Sequence, residues 1–267
     1  MSTVASKPRN WLQETITKAV ARPTAAILYG PPGVGKTSFG AAVEKCVFLI
    51  DNQEDGISPL KVAGLVAADI PVFPACNNFP DVMGILDTLA TEKHDHKAVI
   101  VDTIGGIERL IHEHVCRTEF GNNWGEKGFA SYGKGVSVSI PYVREFLNKL
   151  DRCRDAGMSV ILLGHSKVKG FNNPEGDDFD QYLPDVDAKT WSVLNKWADM
   201  VLFSNFHVVV DEDGKGCGGK ERIMRTENSA AFTAKNRHNL PEKIEMGNSG
   251  AEAWANLKSA IVAGRKK

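Results

Sequence analysis

A glycine-rich stretch near the start of the chain carries residue types that hold phosphate. It reads Gly30-Pro31-Pro32-Gly33-Val34-Gly35-Lys36-Thr37-Ser38 and contains the complete pattern G-x-x-x-x-G-K-[ST]. Backbone N–H groups of such a turn surround phosphate oxygens, the lysine reaches the β- and γ-phosphates, and the Thr37 hydroxyl faces Mg²⁺. This stretch, residues 30–38, is named the phosphate loop, and it predicts a site for a nucleoside triphosphate with Mg²⁺.

Acids at the ends of two predicted strands supply the next part of this chemistry. The run Lys97-Ala-Val-Ile-Val-Asp102 ends an apolar strand with a carboxylate, which is predicted to hold the metal through water. A glutamate directly after this aspartate could activate water, but residue 103 is threonine. The general base must therefore come from elsewhere in the chain. Glu54, just beyond the second predicted strand, is the predicted base, and Asp51 is the alternative.

Three later residues complete the candidate site. His165 ends the run Val160-Ile-Leu-Leu-Gly-His and is predicted to donate a hydrogen bond to the γ-phosphate, although many histidines at strand ends are simply caps. Lys235 and Arg237 form a K-x-R pattern on a predicted strand, which puts both cations on one face. That spacing suits two contacts to one triphosphate, and an exposed basic edge strand is the alternative.

These residues need a parallel sheet to bring them together. Short apolar runs alternate with helical patterns, which predicts an α/β fold with a doubly wound, mostly parallel sheet. The predicted strands are Ala25–Tyr29, Val47–Ile50, Ala98–Val101, Ser159–Leu163 and Met200–Phe203. The predicted helices are Lys36–Lys45, Pro80–Thr91, Ile107–Arg117 and Ile140–Ala156.

The chain divides into three parts around this sheet. Residues 1–23 are predicted to form an N-terminal helix, residues 24–243 the core, and residues 244–267 a C-terminal helix and tail. From about residue 206 an antiparallel extension of the sheet is predicted, with strands Phe206–Val210, Glu221–Thr226 and Ala230–Ala234. Two connections, 118–135 and 166–189, are predicted to be long functional loops.

Composition narrows the classes of function. The 32 Lys+Arg and 33 Asp+Glu give a net charge of −1, so any contact with nucleic acid must be local. No apolar run approaches the roughly 18–20 residues of a membrane span, and the first residues do not resemble a signal peptide. The five cysteines include no C-x-x-C pair, which fits a reducing compartment. The sequence therefore predicts a cytoplasmic protein without a membrane segment.

A glutamate on the strand after the phosphate-loop helix resembles the RecA-like branch of P-loop ATPases. Together with Tyr132-Gly-Lys134-Gly and Ala234-Lys235-Asn-Arg237, it makes the chain similar to a phage family of short RecA-like, AAA-type ATPases. Some members of that family are recombinases or single-strand annealing proteins. The resemblance implies ATP and Mg²⁺ as ligands, assembly on single-stranded DNA, and action beside a single-strand-binding protein. It also implies a homo-oligomer in which Lys235 and Arg237 enter the neighbouring subunit's site.

The two long connections provide candidate DNA contacts, because in RecA-like proteins the corresponding loops face DNA. The first combines cations with aromatic rings that can stack on bases. The second begins with lysines but is acidic further on, and its distal part should repel phosphate. The candidates are Arg117, Trp124, Lys127, Tyr132, Lys134, Lys167 and Lys169.

The leading hypothesis is a Mg²⁺-dependent, RecA-like ATPase that oligomerises on single-stranded DNA in phage recombination. One alternative is a nucleotide-gated assembly module in which hydrolysis is incidental. Another is a hexameric helicase-like motor, although the chain carries no additional DNA-processing domain.

Overall fold

A computed structural model describes residues 22–210 and 216–265. Within these residues, nine strands form one sheet, and helices pack on its two faces. The strands are β1 (Ala25–Gly30), β2 (Cys46–Ile50), β3 (Ala98–Asp102), β4 (Ser159–Phe171), β5 (Phe179–Pro184), β6 (Met200–Val210), β7 (Gly216–Arg225), β8 (Lys235–Asn236) and β9 (Lys243–Glu245). The helices are α1 (Lys36–Ala41), α2 (Ile57–Val62), α3 (Phe79–Thr91), α4 (Ile104–Glu119), α5 (Lys134–Asp155), α6 (Ala188–Trp197) and α7 (Gly250–Gly264).

The centre of the sheet is parallel and buried on both faces. Its strand order is β2-β3-β4-β1-β6, and every neighbouring pair in this part is parallel. Strands β1, β2 and β3 are buried along their whole length, as continuous apolar runs require when helices cover both sides. The carboxyl ends of these strands therefore meet at one edge of the sheet, where ligands bind in open α/β folds.

Two apolar clusters fill the spaces between the sheet and its helices. On one face, α3, α4, α5 and α6 contribute side chains such as Leu86, Ile107 and Phe146. On the other face, α1 and α7 pack together through Phe39 and Leu257. The C-terminal helix thus lies directly against the helix that follows the phosphate loop.

Antiparallel strands extend the sheet beyond β6. Strand β7 pairs with β6 and β9, and the short β8 pairs with the start of β6. The mostly parallel α/β fold with an antiparallel extension is therefore confirmed. The final helix, predicted from the pattern in residues 251–262, is observed as α7.

The second long connection is the largest departure from the sequence prediction. Residues 166–189 are not a loop, because β4 continues out of the core to Phe171 and pairs with β5 as an antiparallel hairpin. Most of this hairpin is exposed or half-buried, so its sequence shows no clear apolar alternation. The first connection is largely a loop, with one 3₁₀ turn at Ser131–Gly133 directly before α5.

Smaller corrections concern element ends. Helix α1 stops at Ala41 rather than Lys45. Residues 230–234, predicted as a strand, lie outside the strands, and the neighbouring β8 covers only Lys235 and Asn236. Nearly all of the predicted N-terminal helix, residues 1–23, lies outside the described residues.

Tyr29 joins the phosphate-loop strand to two distant segments. Its buried hydroxyl donates to the Thr233 carbonyl at 2.6 Å and lies 3.3 Å from the Tyr182 carbonyl on β5. The Thr233 N–H in turn donates to the Tyr29 oxygen at 3.1 Å. Among the helices in the described residues, none is both long and apolar enough to span a bilayer.

Candidate functional site

The phosphate loop connects β1 to α1 and encloses its own lysine. Gly33 and Gly35 have φ values of 78° and 97°, which favour glycine. The Lys36 Nζ donates to the carbonyl oxygens of Gly30 at 2.9 Å and Pro31 at 3.0 Å. Burial lowers the pKa of Lys36. The ammonium group is therefore bound by neutral acceptors at a place where an anion would be a stronger partner.

Thr37 and Asp102 meet at the base of the loop. The Thr37 hydroxyl donates to Asp102 Oδ2 at 2.8 Å, and burial raises the pKa of Asp102 to about 6. Gly56 lies so close that a Cβ there would be 2.9 Å from Thr37 Oγ1 and 3.3 Å from Asp102 Oδ2. Hydroxyl and carboxylate oxygens are ligands that Mg²⁺ prefers, so this pair fits the ion. When bound, Mg²⁺ would supply charge neutralisation at the phosphates.

Glu54 and His165 form a pair beside the loop. The His165 Nε2 lies 2.6 Å from Glu54 Oε1, and the Thr103 hydroxyl donates to Glu54 Oε2 at 3.4 Å. The two side chains come from the ends of different strands, since Glu54 follows β2 and His165 lies within β4 at the carboxyl edge of the core. The predicted base and the predicted sensor are thus hydrogen-bonded to each other.

Asp51, the alternative base, occupies a more enclosed position. Its side chain is 1% exposed, and its Oδ1 accepts from Arg109 Nη2 at 2.9 Å. A Cβ on Gly106 would lie 1.8 Å from Asp51 Oδ2, so the start of α4 packs directly on this carboxylate. This geometry favours Glu54 as the base and gives Asp51 an ion pair that fixes the loop after β2.

Two cavities adjoin the Glu54–His165 pair. The first, of about 440 Å³, contains the phosphate loop and both predicted metal-binding side chains. The second, of about 400 Å³, lies on the Asp51 and Arg109 side and shares Glu54 and His165 with the first. The first cavity is lined by Pro32, Gly33, Gly35, Lys36, Thr37, Ser38, Glu54, Gly56, Leu60, Leu65, Asp102, His165 and Arg222.

Arg222 is a basic residue of this cavity that the sequence analysis missed. It comes from β7, and its Nη2 donates to the Gly247 carbonyl at 2.8 Å while Nη1 lies 3.5 Å from the Val34 carbonyl. A Cβ on Gly35 would lie 2.6 Å from Arg222 Nη1, so the guanidinium rests against the loop. No local motif marks this arginine, because long-range strand pairing determines its position.

Lys235 and Arg237 lie at the opposite, amino edge of the sheet, beside the start of β6. Lys235 Nζ donates to the carbonyls of Asn195 and Lys196 at the end of α6. Arg237 Nη2 donates to the same Lys196 carbonyl at 3.4 Å, and Arg237 faces Asp199 at 3.7 Å. Arg237 lies outside the two-residue strand β8, so the predicted pair on one strand face is not formed, but both cations reach the same helix end within this chain. Their entry into a neighbour's site stays a prediction.

The candidate DNA residues of the first connection are exposed. Tyr132 is fully exposed with a positive φ of 45°, and the Trp124 ring packs 5.0 Å from Phe129. Lys134 lies over the Phe120 ring at 5.9 Å. Arg117 and Lys127 also face solvent. Trp124 and Lys134 therefore contact a small aromatic cluster formed by Phe120 and Phe129.

The two lysines of the hairpin differ. Lys167 donates to the Val186 carbonyl at 2.7 Å and pairs with Asp185 at 3.3 Å, so it fixes the base of the hairpin. Lys169 is exposed further along the same strand. The start of α6, which follows the hairpin, contacts the start of α5, because the Lys189 Nζ donates to the Ser137 hydroxyl at 2.6 Å.

The fold and this site together define a class of protein. A phosphate loop between the central strand and its helix, with carboxylates at the ends of two neighbouring strands, makes it a nucleotide-binding P-loop ATPase domain of α/β fold. Residues 22–238 match the family described as AAA domain, and the chain belongs to that family.

One solved structure with detectable similarity to this chain is distant in sequence. The crystal structure of the flagellar accessory protein FlaH from Methanocaldococcus jannaschii shares 12% sequence identity, with 90% of this chain and 92% of FlaH covered and a TM-score of 0.44. Among curated proteins, none matches the chain.

Proposed function

We propose that the protein is a Mg²⁺-dependent ATPase that oligomerises on single-stranded DNA and promotes phage DNA recombination by annealing or strand exchange. The observation that carries the proposal is the Glu54–His165 pair beside the phosphate loop, with His165 on the strand that becomes the exposed hairpin. A change in the nucleotide can therefore be transmitted along β4 to the exposed hairpin outside the core.

The residues of the site divide the work of hydrolysis. Lys36 binds the β- and γ-phosphates, while Thr37 and Asp102 hold Mg²⁺. Glu54 accepts a proton from the attacking water, which requires that its carboxylate leave His165 or share it. His165 then donates to the γ-phosphate, so the imidazole has a different partner before and after ATP binds.

The DNA part of the proposal is supported by exposed residues on the hairpin and on the first long connection. Lys169 and Tyr132 combine a cation with a fully exposed ring, the two side-chain types that bind single strands. Val168 and Phe171 are also exposed, at 56% and 43%. Lys189, at the start of the helix after the hairpin, donates to Ser137, at the start of the helix after Tyr132, and this contact supports a shared DNA path for the two segments.

The oligomer is supported by the position of Lys235 and Arg237. Both lie away from the phosphate loop of their own chain, so they are suited to act on a neighbour rather than in cis. An arginine supplied in this way can raise turnover by about 10³–10⁵-fold. A single-strand-binding protein is the proposed partner on DNA.

ATP hydrolysis measured with and without single-stranded DNA, over a range of protein concentrations, tests the proposal. We expect stimulation by DNA that rises cooperatively with protein concentration, and no hydrolysis by Lys36→Ala. A hydrolysis rate that is the same with and without DNA at every protein concentration would contradict the recombination role. The ATPase assignment would still hold.

One observation favours a second function, a nucleotide-gated module that binds a protein partner. Asp177, Asp178 and Asp180 lie at the tip and on the return strand of the hairpin, where phosphate would be repelled. Glu54→Gln separates the two functions. A gated module keeps its partner binding in this variant, whereas an ATP-driven recombinase loses its activity.

A further inference from the structure

The phosphate loop has two flanks with different chemistry. Glu54, Asp102 and His165 come from β2, β3 and β4, which lie on one side of β1 in the sheet. These residues surround the place of the γ-phosphate and the metal. Strands β6, β7 and β9 lie on the other side of β1. With the γ-phosphate on the β4 side, this second flank is left for the nucleoside end of the nucleotide.

Arg222 is the basic side chain that reaches the loop from the second flank. It is half-buried, and its guanidinium lies between the Val34 carbonyl of the loop and the Gly247 carbonyl beyond β9. The contact with Gly35 is too close for a Cβ. Both acceptors are neutral carbonyls, and an anionic phosphate oxygen would bind the same donors more strongly.

Arg222 also lines a smaller cavity of about 290 Å³, whose lining includes neither Glu54 nor His165. Arg222 lines this cavity and the phosphate-loop cavity, so the guanidinium stands between them. Glu221 and Glu245 line the smaller cavity, together with Ile223 and Asn248. Carboxylates repel phosphate and accept hydrogen bonds from hydroxyl groups, so this cavity suits a ribose better than a phosphate.

We propose that Arg222 binds, in cis, the phosphate group nearest the nucleoside, and that the cavity beyond it receives the ribose. The proposal rests on the nucleotide-binding function above and adds the residue that sets which way the nucleotide lies. On binding, the guanidinium exchanges a carbonyl for a phosphate oxygen.

Binding of ATP, ADP and pyrophosphate to Arg222→Ala tests this assignment. We expect the Kd for ATP and for ADP to rise by the same factor, about 10–100-fold, because a charge-assisted pair common to both is lost. Pyrophosphate, which lacks the nucleoside-side phosphate, should bind as it does to the wild-type protein. Arg222→Lys should recover part of the loss.

Arg225 provides the matched control. It lies on the same strand but pairs with Glu242 and lies over the Phe232 ring, away from the loop. Arg225→Ala should leave all three affinities unchanged. An unchanged Kd in Arg222→Ala, a loss confined to ATP, or an equal loss for pyrophosphate would each overturn the assignment. If the wild-type protein bound no nucleotide, the proposed function itself would fail.

Discussion

Two edges of the parallel sheet carry basic side chains bound to backbone carbonyls, and they differ in where those carbonyls lie. At the carboxyl edge, Lys36 and Arg222 donate to carbonyls in and beside the phosphate loop and line a cavity of about 440 Å³. At the amino edge, Lys235 and Arg237 donate to the last carbonyls of α6, and Arg237 also faces Asp199 at 3.7 Å.

The difference indicates which cations are ready for a ligand. A carbonyl is a weak partner that a phosphate oxygen replaces easily. The end of a helix, by contrast, attracts cations through its dipole. Lys36 and Arg222 are therefore prepared for phosphate in their own chain. Burial and the neighbouring Arg237 lower the pKa of Lys235, and both cations must leave the carbonyls at the end of α6 before they can act on another subunit.

The largest test of this comparison concerns the base at the carboxyl edge. Glu54→Gln should lower kcat by about 10²–10⁴-fold while ATP still binds, because the amide cannot accept the proton from water. Asp51→Asn is the control, since Asp51 is enclosed with Arg109. Steady-state hydrolysis and ATP titration measure both effects. A larger loss of kcat in Asp51→Asn than in Glu54→Gln would reverse the assignment of the base.

The amino edge gives the second test. If Lys235 and Arg237 serve a neighbour, Lys235→Ala or Arg237→Ala should lower kcat at least about tenfold without weakening ATP binding. An equal mixture of Glu54→Gln and Arg237→Ala chains should then regain about a quarter of wild-type turnover, because some interfaces combine intact residues. A lower unfolding temperature with normal kcat would mean that the pair only stabilises the end of α6.

The third test concerns the loss of stability caused by a charged, buried Asp102 at the carboxyl edge. Burial raises the pKa of Asp102 to about 6 from 3.8, so the folded protein binds its proton more tightly than the unfolded chain does. The metal-free protein should therefore lose stability as pH rises from about 4 to 6, by about 1–3 kcal/mol from this residue. Asp102→Asn should be more stable than wild type at pH 8, with a smaller difference at pH 4. Urea unfolding without Mg²⁺ measures this, and equal stability at pH 8 would contradict it.

The smallest expected effect lies on the hairpin. Lys169→Ala should weaken single-stranded DNA binding a few-fold and reduce the slope of log K against log salt by about 0.7, as loss of one phosphate contact predicts. Lys167→Ala should reduce that slope less, because Lys167 is already paired with Asp185. Equal slopes for Lys169→Ala and the wild type would remove the hairpin from the DNA path.

The parts of the site that lie at the end of a buried apolar strand were located best from the sequence. The phosphate loop, Asp102 and Glu54 each follow a buried apolar strand, so a local pattern indicated their place at the carboxyl edge. Arg222 was missed because no motif surrounds it and its contact with Val34 spans 188 positions. The hairpin was predicted as a loop because its strands project from the core, where burial imposes no alternation.

The hydrogen bonds of Tyr29 have a consequence for how such a protein can diverge. Through its hydroxyl, the strand that begins the phosphate loop is fixed to Thr233 and to Tyr182 at the base of the hairpin. Residues 172–178 at the hairpin tip are bound by no such contact to Tyr29. Insertions and substitutions are tolerated best at exposed tips of this kind. Descendants of this sequence can therefore change residues 172–178 while they inherit the phosphate loop unchanged.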